Sequence, residues 1–422
     1  MKKEVIRFEG GHELNGTVHI SGAKNATVAL IPAAVMADGP VTIVGVPNIE
    51  DVKNLTDILH LMNVKTQVKE PDHITIDPTE MENVVLDDSA VTKLRASYYF
   101  MGALLGKYKK VRIRMPGGCY LGPRPIDLHL KGFEALGAKI DYTGGLYTIE
   151  AEKLVGTRIF LDFASVGATI NILMAAVFAE GRTTIENAAK EPEIIDVVTL
   201  LSKMGAEIHG AGTNVITIDG VKHLSGCFHE IIPDRIEAGT FIVIAAAMAK
   251  EMTVENIIPQ HIDALLAKLQ EMGVDMDVSI DKVVVRGRGR YKAIDAKTLP
   301  YPGLATDLQA PLTALLTQAT GDSEITETIY PQRFKHCDQL NTMGADIDVR
   351  IPRALIHGPK KLYGMDVYAT DLRCGASLVV AGLMAEGVTT IHDIYHIDRG
   401  YEGIDQKLNR CGAKIWRETV DE

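Results

Sequence analysis

The amino-acid sequence predicts an α/β (α+β) protein of two similar domains, each built from three copies of one repeat unit. Three observations lead to this prediction. An apolar, helix-like stretch runs into a short β-type segment six times along the chain, and a glycine-containing signature follows in nearly every copy. The 422 residues also exceed what a single hydrophobic core usually serves, which favours two domains.

The six apolar stretches are evenly spaced along the chain. Their β-type segments end 66 to 72 residues apart, at Ile43, Ile113, Ile185, Val254, Ile325 and Ile391. So regular a period indicates a true repeat. Each stretch is apolar on every side, as in INILMAAVFA from Ile170, and we therefore expect a helix that is buried all round.

A second signature marks the end of an amphipathic helix in each unit. It reads LGAKI from Leu136, MGAEI from Met204, MGVDM from Met272, MGADI from Met343 and CGAKI from Cys411, and the first copy is reduced to Met62-Asn63-Val64. The glycine suits the left-handed residue that ends a helix, and a strand follows. Each unit therefore reads strand, helix, strand, helix, strand.

Composition narrows the class of protein. The formal net charge of −11 argues against general nucleic-acid binding, although a small anion needs only local positive charge. Five cysteines without C-x-x-C spacing make a disulfide framework or a zinc site an unfavoured interpretation. An acid at Glu4, where a signal peptide is apolar, and the shortness of the apolar runs favour a cytoplasmic protein without membrane insertion.

Basic residues recur in the loops that lead into helices. A positive charge opposes the helix dipole there, so its repetition indicates a bound anion, and arginine suits carboxylate or phosphate oxygens. These residues are Lys24, Arg95, Arg124, Arg333, Arg373 and Arg399. For the acidic and hydroxyl residues of the same loops a helix-capping role competes with function. Ser165, Asp234 and Glu237 are open in this way, and Asp307 is either a base or substrate anchor, or a cap.

The segment 116–125, PGGCYLGPRP, is the most distinctive loop. Three glycines and three prolines exclude a regular element, and the length predicts a mobile lid. Its Cys119 should be exposed and reactive, as an acid or a nucleophile, with Arg124 nearby. The other cysteines are expected to be buried fillers, namely Cys227, Cys337, Cys374 and Cys411.

An ordered set of motifs over essentially the whole chain resembles the enolpyruvyl transferase family, in the branch that acts on UDP-N-acetylglucosamine. The motifs are SGAKNA from Ser21, LRAS from Leu94, PGGCYLGPRPIDLH from Pro116, SVGAT from Ser165, ENAAKEPEIIDV from Glu186, PDRIEAGTF from Pro233, ATDLQA from Ala305, ITET from Ile325, ATDLR from Ala369 and YHIDRGYE from Tyr395. The resemblance implies transfer of the enolpyruvyl group of phosphoenolpyruvate to the sugar 3′-hydroxyl, with release of phosphate. It also implies that no metal and no organic cofactor takes part.

The resemblance further implies the family's inside-out α/β barrel fold with βαβαββ units. Residues 22–231 would form one domain, residues 1–21 and 232–422 the other, and the active site would lie in the cleft between them. The chain would cross between the domains twice, so that the N-terminal strand joins the C-terminal domain. The partners implied are phosphoenolpyruvate and UDP-N-acetylglucosamine, and the resemblance does not give the oligomeric state.

Carried over by position, the family's site residues fall into three groups. Cys119 matches the lid cysteine that acts as general acid and is the target of fosfomycin, and Asp307 matches the carboxylate near the 3′-hydroxyl, a proposed base. The second group contacts phosphoenolpyruvate and comprises Lys24, Arg124 and Arg399 around its phosphate, and Arg333 and Arg373 near its carboxylate. Of these, Lys24 and Arg399 are also expected to be catalytic. The third group contacts the nucleotide sugar and comprises Asn25, Arg95, Arg124, Pro125, Ile126, Asp127, Leu128, Ser165, Val166, Gly167 and Ile329.

Two departures and two rival interpretations complete the sequence evidence. Phe163 replaces a residue that is often basic near the nucleotide, and Tyr301 replaces a histidine of some members. The rivals are a shikimate-pathway enolpyruvyl transferase, which the Cys119 lid and SGAKNA disfavour, and a catalytically silent paralogue. Retention of Cys119, Asp307 and all six basic residues disfavours the second.

Overall fold

A computed structural model describes residues 2–114, 126–287 and 289–421 of the chain. Cys119, Arg124 and Pro125 lie outside the described residues, as does the predicted lid around them. The strands, helices, sheets and contacts of the fold are those of these three ranges.

The strands are short, with three to eight residues each. They are β1 Lys2–Glu9, β2 Leu14–His19, β3 Val41–Val44, β4 Lys65–Glu70, β5 His73–Asp77, β6 Lys110–Arg114, β7 Lys139–Thr143, β8 Leu146–Glu150, β9 Arg158–Phe160, β10 Arg182–Glu186, β11 Glu207–His209, β12 Val215–Asp219, β13 Phe228–Glu230, β14 Ala249–Glu255, β15 Asp275–Val278, β16 Lys282–Arg286, β17 Asp295–Lys297, β18 Gly321–Thr326, β19 Ile347–Arg350, β20 Arg353–Gly358, β21 Asp366–Tyr368, β22 Val388–His392 and β23 Lys414–Asp421.

The helices alternate with these strands. They are α1 Lys24–Ala34, α2 Glu50–Leu61, α3 Ser89–Lys93, α4 Tyr99–Tyr108, α5 Asp127–Ala135, α6 Val166–Ala176, α7 Pro192–Lys203, α8 Arg235–Met248, α9 Asp263–Met272, α10 Thr306–Leu316, α11 Lys335–Thr342, α12 Leu372–Met384, α13 Tyr395–Asp398 and α14 Ile404–Arg410, with 3₁₀ turns at Arg95–Tyr98 and Pro259–Ile262.

The strands form six small sheets of one design, which confirms the predicted α/β fold with a repeated unit. In the sheet β11-β12-β10-β9, the first strand of the unit runs parallel to the second, and the last two form an antiparallel hairpin beside it. The sheet β6-β8-β7 has three strands, because the first strand of that unit is reduced to a bridge between Leu86 and Ile113. The N-terminal strand β1 pairs with β22 and β23, so the two ends of the chain share a sheet.

The six repeat units are grouped into two larger compact units, which are called the terminal unit and the middle unit. The terminal unit comprises Met1–Ser21 and Pro233–Glu422, and the middle unit lies within residues 22–232. Each unit has its own cluster of buried apolar residues. In the middle unit α4 packs on α1 and α6, and in the terminal unit α10 packs on α8 and α12.

The six apolar helices are buried almost completely, as the sequence predicts. They are α1, α4, α6, α8, α10 and α12. Strands such as β10 and β16 alternate buried and accessible residues, so one face of each sheet covers the helices. Among the described residues, none of the helices is long and apolar enough to cross a membrane.

The signature after each amphipathic helix ends that helix with a left-handed residue. Gly137, Gly205, Gly273, Gly344 and Gly412 all have φ between 95° and 110°. In the degenerate first copy Asn63 adopts φ 58°, a conformation that asparagine tolerates better than most residues. The prediction about these glycines is confirmed, and the first copy keeps the conformation without the glycine.

Candidate functional site

The centre of the terminal unit's candidate site is an aspartate held between two arginines. Asp307 is the second residue of α10, Arg333 lies in the loop before α11, and Arg373 is the second residue of α12. Arg333 Nη1 donates to Asp307 Oδ1 at 2.7 Å, and Arg373 Nη2 donates to Asp307 Oδ2 at 3.0 Å. Both guanidinium groups are buried, whereas 23% of the Asp307 side chain is accessible. The carboxylate is thus the most accessible part of this cluster.

Asp307 is therefore not the helix cap that the sequence left open. The N-cap of α10 is Ala305, and no side-chain capping hydrogen bond is made there. Charge-assisted hydrogen bonds from two guanidinium groups stabilise the negative charge of the Asp307 side chain. The Nε of Arg333 is a donor that is not used in this cluster, because it is buried and has no hydrogen-bond partner among the described residues.

Arg373 is fixed from several sides. Its Nη1 donates to the Tyr401 hydroxyl at 3.0 Å, and that hydroxyl lies 2.8 Å from Thr240 Oγ1. The Asp371 side chain caps α12 by accepting from the Arg373 and Cys374 amides. Burial is the largest single influence and opposes the charge of Arg373, but Asp307, Tyr401 and Asp234 together outweigh it, so the pKa of Arg373 lies above its ordinary value. Arg373 remains a fixed cation.

Arg399 is supported by a surface clamp. It follows the last residue of α13, and four residues separate it from α14, so it does not sit immediately before a helix as the sequence predicts. Arg417 on β23 donates to both oxygens of Asp398, at 2.9 and 2.7 Å, and also to Asp405 in the first turn of α14. Arg417 therefore holds both ends of the segment that carries the buried Arg399 and Tyr401.

In the middle unit, Lys24 opens α1 and Asn25 follows it. Lys24 Nζ lies 3.1 Å from Oδ2 of Asp51, whose side chain is buried at the start of α2. Lys24 itself is more accessible than its partner. The pair fixes the amine near the N-terminus of α1, a position with positive helix-dipole potential.

A second group of middle-unit residues meets at the N-terminus of α6. Ser165 is the N-cap and accepts from the Ala168 amide at 3.2 Å, so the capping interpretation of Ser165 is confirmed. A Cβ on Gly167 would lie 2.6 Å from the Tyr98 hydroxyl and 3.0 Å from His129 Cε1, which shows how closely these rings approach the helix. Arg95 lies over the Tyr98 ring, 5.8 Å from its centroid.

His129 joins this group to α5. Burial, with a smaller contribution from the charge of Arg95, lowers the pKa of His129 to about 3, so the ring is neutral at physiological pH. His129 Nδ1 lies 2.9 Å from the Asn171 side-chain nitrogen. The adjoining residues of α5 carry the predicted positions Asp127 and Leu128, and Ile126 is the buried N-cap residue.

The remaining predicted positions are placed as follows. Val166 opens α6, and Ile329 lies in the loop after β18, where its amide donates to Glu327 Oε1 at 2.8 Å. Asp234 caps α8 by accepting from Ile236 and Glu237 amides, whereas Glu237 accepts from the Ser21 amide and from Lys407.

The two residues that depart from the family pattern and the four described cysteines differ in their exposure. Phe163 is exposed, and Tyr301 lies under the Arg235 guanidinium at 5.6 Å. Cys337, Cys374 and Cys411 are buried as predicted, but Cys227 is only half-buried. Outside the predicted site, Glu70, Asp72 and His73 form a largely exposed group on the β4–β5 hairpin that could reach one metal ion, and exposed groups of this kind are common without one.

Sequence reasoning missed several side chains that build these clusters. The motifs quoted for the resemblance contain Tyr401, Thr306 and Glu327. Nothing in their spacing shows that Tyr401 and Thr306 accept hydrogen bonds from the site arginines, or that Glu327 accepts one from Thr306. Tyr98 and His129 were missed in the same way. Their positions follow from helix packing, which periodicity alone does not provide.

Known proteins are similar to this chain over nearly its full length. The family model described as EPSP synthase (3-phosphoshikimate 1-carboxyvinyltransferase) matches residues 8–408. UDP-N-acetylglucosamine 1-carboxyvinyltransferase 2 of Bacillus subtilis (strain 168) is 57% identical over 418 residues, which cover 99% of this chain and 97% of that protein. The protein of the same name from Geobacillus kaustophilus (strain HTA426) is 57% identical over 415 residues, covering 98% and 97%.

Solved structures share the fold. The enolpyruvyl transferase NikO from Streptomyces tendae matches with a TM-score of 0.90 at 26% identity and covers 100% of both chains. An EPSP synthase from Acinetobacter baumannii matches with a TM-score of 0.77 at 21% identity, covering 99% of this chain and 100% of that one. The second likeness shows the fold alone.

Proposed function

The chain belongs to the EPSP synthase family of carboxyvinyltransferases, and from this premise we infer that it transfers the enolpyruvyl group of phosphoenolpyruvate to the 3′-hydroxyl of UDP-N-acetylglucosamine, releasing phosphate. The observation that carries this inference is the 57% identity, over 99% of the chain, to a protein named for that reaction. The shikimate-pathway alternative has less support, since the solved EPSP synthase is only 21% identical.

The Asp307 cluster supports the proposal chemically. Phosphoenolpyruvate carries a carboxylate, and the two buried arginines offer planar donors of the kind that recognise carboxylates. The unpartnered Nε of Arg333 is a further donor for such a ligand. Arg399, Arg124 and Lys24 are proposed to hold the phosphate, whose negative charge increases as it leaves.

The proposed reaction proceeds by addition and elimination. Cys119 gives its proton to the vinyl carbon, and positive charge develops at the carbon that bears the phosphate. The sugar 3′-oxygen bonds to that carbon and passes its proton to Asp307. The new methyl group then returns a proton to the Cys119 thiolate as the carbon–oxygen bond to phosphate breaks. This restores the double bond in the enolpyruvyl ether and yields inorganic phosphate, which takes up the proton held by Asp307.

Asp307 is suited to accept a proton only if its hydrogen bonds with Arg333 and Arg373 are weakened. In the structure each of its oxygens accepts from a guanidinium group, and such hydrogen bonds make a carboxylate a weaker base. The carboxylate of phosphoenolpyruvate would compete for the same donors. Substrate binding would thereby leave Asp307 more basic when the 3′-hydroxyl reacts.

The nucleotide sugar is proposed to bind in the middle unit. Arg95, Asn25, the 124–128 stretch and the α6 N-terminus at Ser165, Val166 and Gly167 supply a cation and backbone amides, which suit a diphosphate. Ile329 is the proposed contact from the terminal unit. The substitution at Phe163 removes a cation from this set without removing the others.

The wider role follows from the reaction. We propose that it is the first committed step of peptidoglycan precursor synthesis, so its loss would affect cell wall biogenesis, cell shape and cell division. The cytoplasm is the proposed location, since free cysteines fit a reducing compartment. Fosfomycin is the proposed inhibitor, through Cys119.

Phosphate release decides between the acceptors. The protein is mixed with phosphoenolpyruvate and either UDP-N-acetylglucosamine or shikimate 3-phosphate, and inorganic phosphate is measured. We expect release only with the nucleotide sugar; release only with shikimate 3-phosphate would overturn the proposal. If neither acceptor gives phosphate, the silent-paralogue interpretation is favoured, and mass spectrometry after fosfomycin then shows whether Cys119 is still reactive.

A further inference from the structure

Glu327 is a fully buried carboxylate that accepts hydrogen bonds from three different segments of the chain. Its Oε1 accepts from the Thr298 hydroxyl at 2.8 Å and from the amides of Ile329 and Tyr330 at 2.8 and 3.0 Å. Its Oε2 accepts from the Thr306 hydroxyl at 2.9 Å. One oxygen therefore shapes the loop after β18, and the other reaches the first residue of α10.

The Thr306 hydroxyl connects Glu327 to the Asp307 cluster. Arg333 Nη1 lies 3.1 Å from Thr306 Oγ1 and 2.7 Å from Asp307 Oδ1. A guanidinium can only donate, so Thr306 Oγ1 must accept from Arg333. The single proton of the hydroxyl is then left for Glu327. The direction of every hydrogen bond from Glu327 to Asp307 is thus determined.

We propose that Glu327 is a positioning residue, which sets the Arg333–Asp307 pair through the Thr306 hydroxyl and sets Ile329 through its backbone amide. The proposal deepens the proposed function and rests on it for its kinetic readouts. Glu327 touches neither the reacting atoms nor the substrates. It acts by holding two proposed substrate-contacting segments from a single buried point.

The two arms of Glu327 have different expected effects. Loss of the Thr306 arm frees Arg333 to rotate about its remaining bond to Asp307, which should weaken the use of phosphoenolpyruvate. Loss of the amide arm would displace Ile329, which should weaken the use of the nucleotide sugar. Hydrogen bonds that involve a charged group contribute about 1.5–3 kcal/mol, so each arm should change kcat/KM by roughly 10- to 100-fold.

Variants of Thr306 separate the first arm from a general loss of structure. Thr306→Val keeps the shape and removes the hydroxyl, and Thr306→Ser restores the hydroxyl. Thr389→Val is the matched control, because Thr389 is a buried threonine of the same unit whose hydroxyl finds no hydrogen-bond partner in the described chain. Kinetics for both substrates are measured alongside the thermal unfolding of each variant.

Thr306→Val should lower kcat/KM for phosphoenolpyruvate at least about tenfold while KM for UDP-N-acetylglucosamine changes less than about threefold. Thr306→Ser should recover most of the loss, and Thr389→Val should behave as the unchanged protein. Glu327→Gln should lower kcat/KM for both substrates. The glutamine NH₂ group is a donor, and it would face hydroxyl and backbone amide groups that already donate to Glu327. Equal kinetics for Thr306→Val and Thr389→Val, or no recovery in Thr306→Ser, would overturn the proposal.

A double-mutant cycle keeps the positioning role testable if the proposed reaction is wrong. Thr306→Val and Arg333→Met are combined, and the unfolding equilibrium is measured for each variant and the pair. We expect a coupling of at least about fivefold in the unfolding equilibrium constant. Coupling without turnover in the unchanged protein would refute only the proposed function, whereas additive effects would refute the positioning role.

Discussion

Glu237 should make the terminal unit less stable as the pH rises through neutrality. Its side chain is buried in the first turn of α8, where it accepts from the Ser21 amide at 2.9 Å and from Lys407 Nζ at 2.5 Å. Burial raises the pKa of Glu237 from 4.5 to about 7, although the charge of Lys407 acts in the opposite direction. In the unfolded chain the same carboxyl returns to its ordinary pKa.

The size of the effect follows from this difference. A shift from 4.5 to about 7 corresponds to about 3 kcal/mol, at 1.36 kcal/mol for each pKa unit. The raised pKa means that the folded protein binds the proton more tightly than the unfolded chain does. The contribution to stability is therefore fully present below pH 4.5 and is lost as the pH rises through about 7.

Substitution of Glu237 by glutamine removes this titration. The sequence contains one tryptophan, Trp416, which lies on β23 in the same unit, so its fluorescence reports the relevant unfolding transition. Urea unfolding is measured from pH 4.5 to 8 for the unchanged protein, for Glu237→Gln and for the exposed control Glu271→Gln.

Between pH 4.5 and 8 the free energy of unfolding of the wild-type protein should fall by about 3 kcal/mol relative to that of Glu237→Gln, by the same conversion. The Glu271→Gln control should follow the unchanged protein at every pH. The loss of the hydrogen bond to Lys407 shifts the Glu237→Gln curve by a constant amount and does not alter its slope. Parallel curves for the unchanged protein and Glu237→Gln would refute the reasoning.

Three further predictions concern helix packing, the support of Arg399 and the lid. Gly102→Ala should destabilise the middle unit by about 1–3 kcal/mol, since a Cβ there would lie 2.3 Å from a carbonyl oxygen of α6; an unchanged melting temperature by circular dichroism would contradict this. Arg417→Met should raise KM for phosphoenolpyruvate roughly tenfold, because it loosens the segment that carries Arg399. The control Arg286→Met breaks a similar surface pairing with two aspartates and should leave KM unchanged. Equal increases in KM for both variants would contradict a specific role of Arg417. Cys119→Ala should lower kcat by roughly 10²–10⁴-fold with the unfolding curve unchanged, and near-normal turnover would remove the proposed acid role.

Local patterns predicted the repeated elements because each depends on nearby residues. The apolar helices could be identified from unbroken hydrophobic runs, and they are the buried helices of the structure. The helix ends could be identified from the signature glycines. The first copy shows the limit of this reasoning, since Asn63 adopts the left-handed conformation without a glycine to announce it.

The contacts of the site could not be predicted in the same way. The sequence left Asp307 open between a cap and a functional group, and the choice depended on where Arg333 and Arg373 lie in space. Arg373 is 66 residues from Asp307 along the chain. The spacing of residues carries no information about the direction of a side chain so far away.

The sequence by itself determined the repeat, the buried helices, the family resemblance and the residue types available for binding anions. These depend on periodicity and on local backbone preferences, which a linear pattern records. Only the tertiary structure decided that Asp307 is shared by two arginines, that the Thr306 hydroxyl links Glu327 to Arg333, and that β22 and β23 are the strands that pair with β1. The physical reason is that hydrogen bonds and strand registers join residues that are distant in the chain, so their partners are chosen by packing.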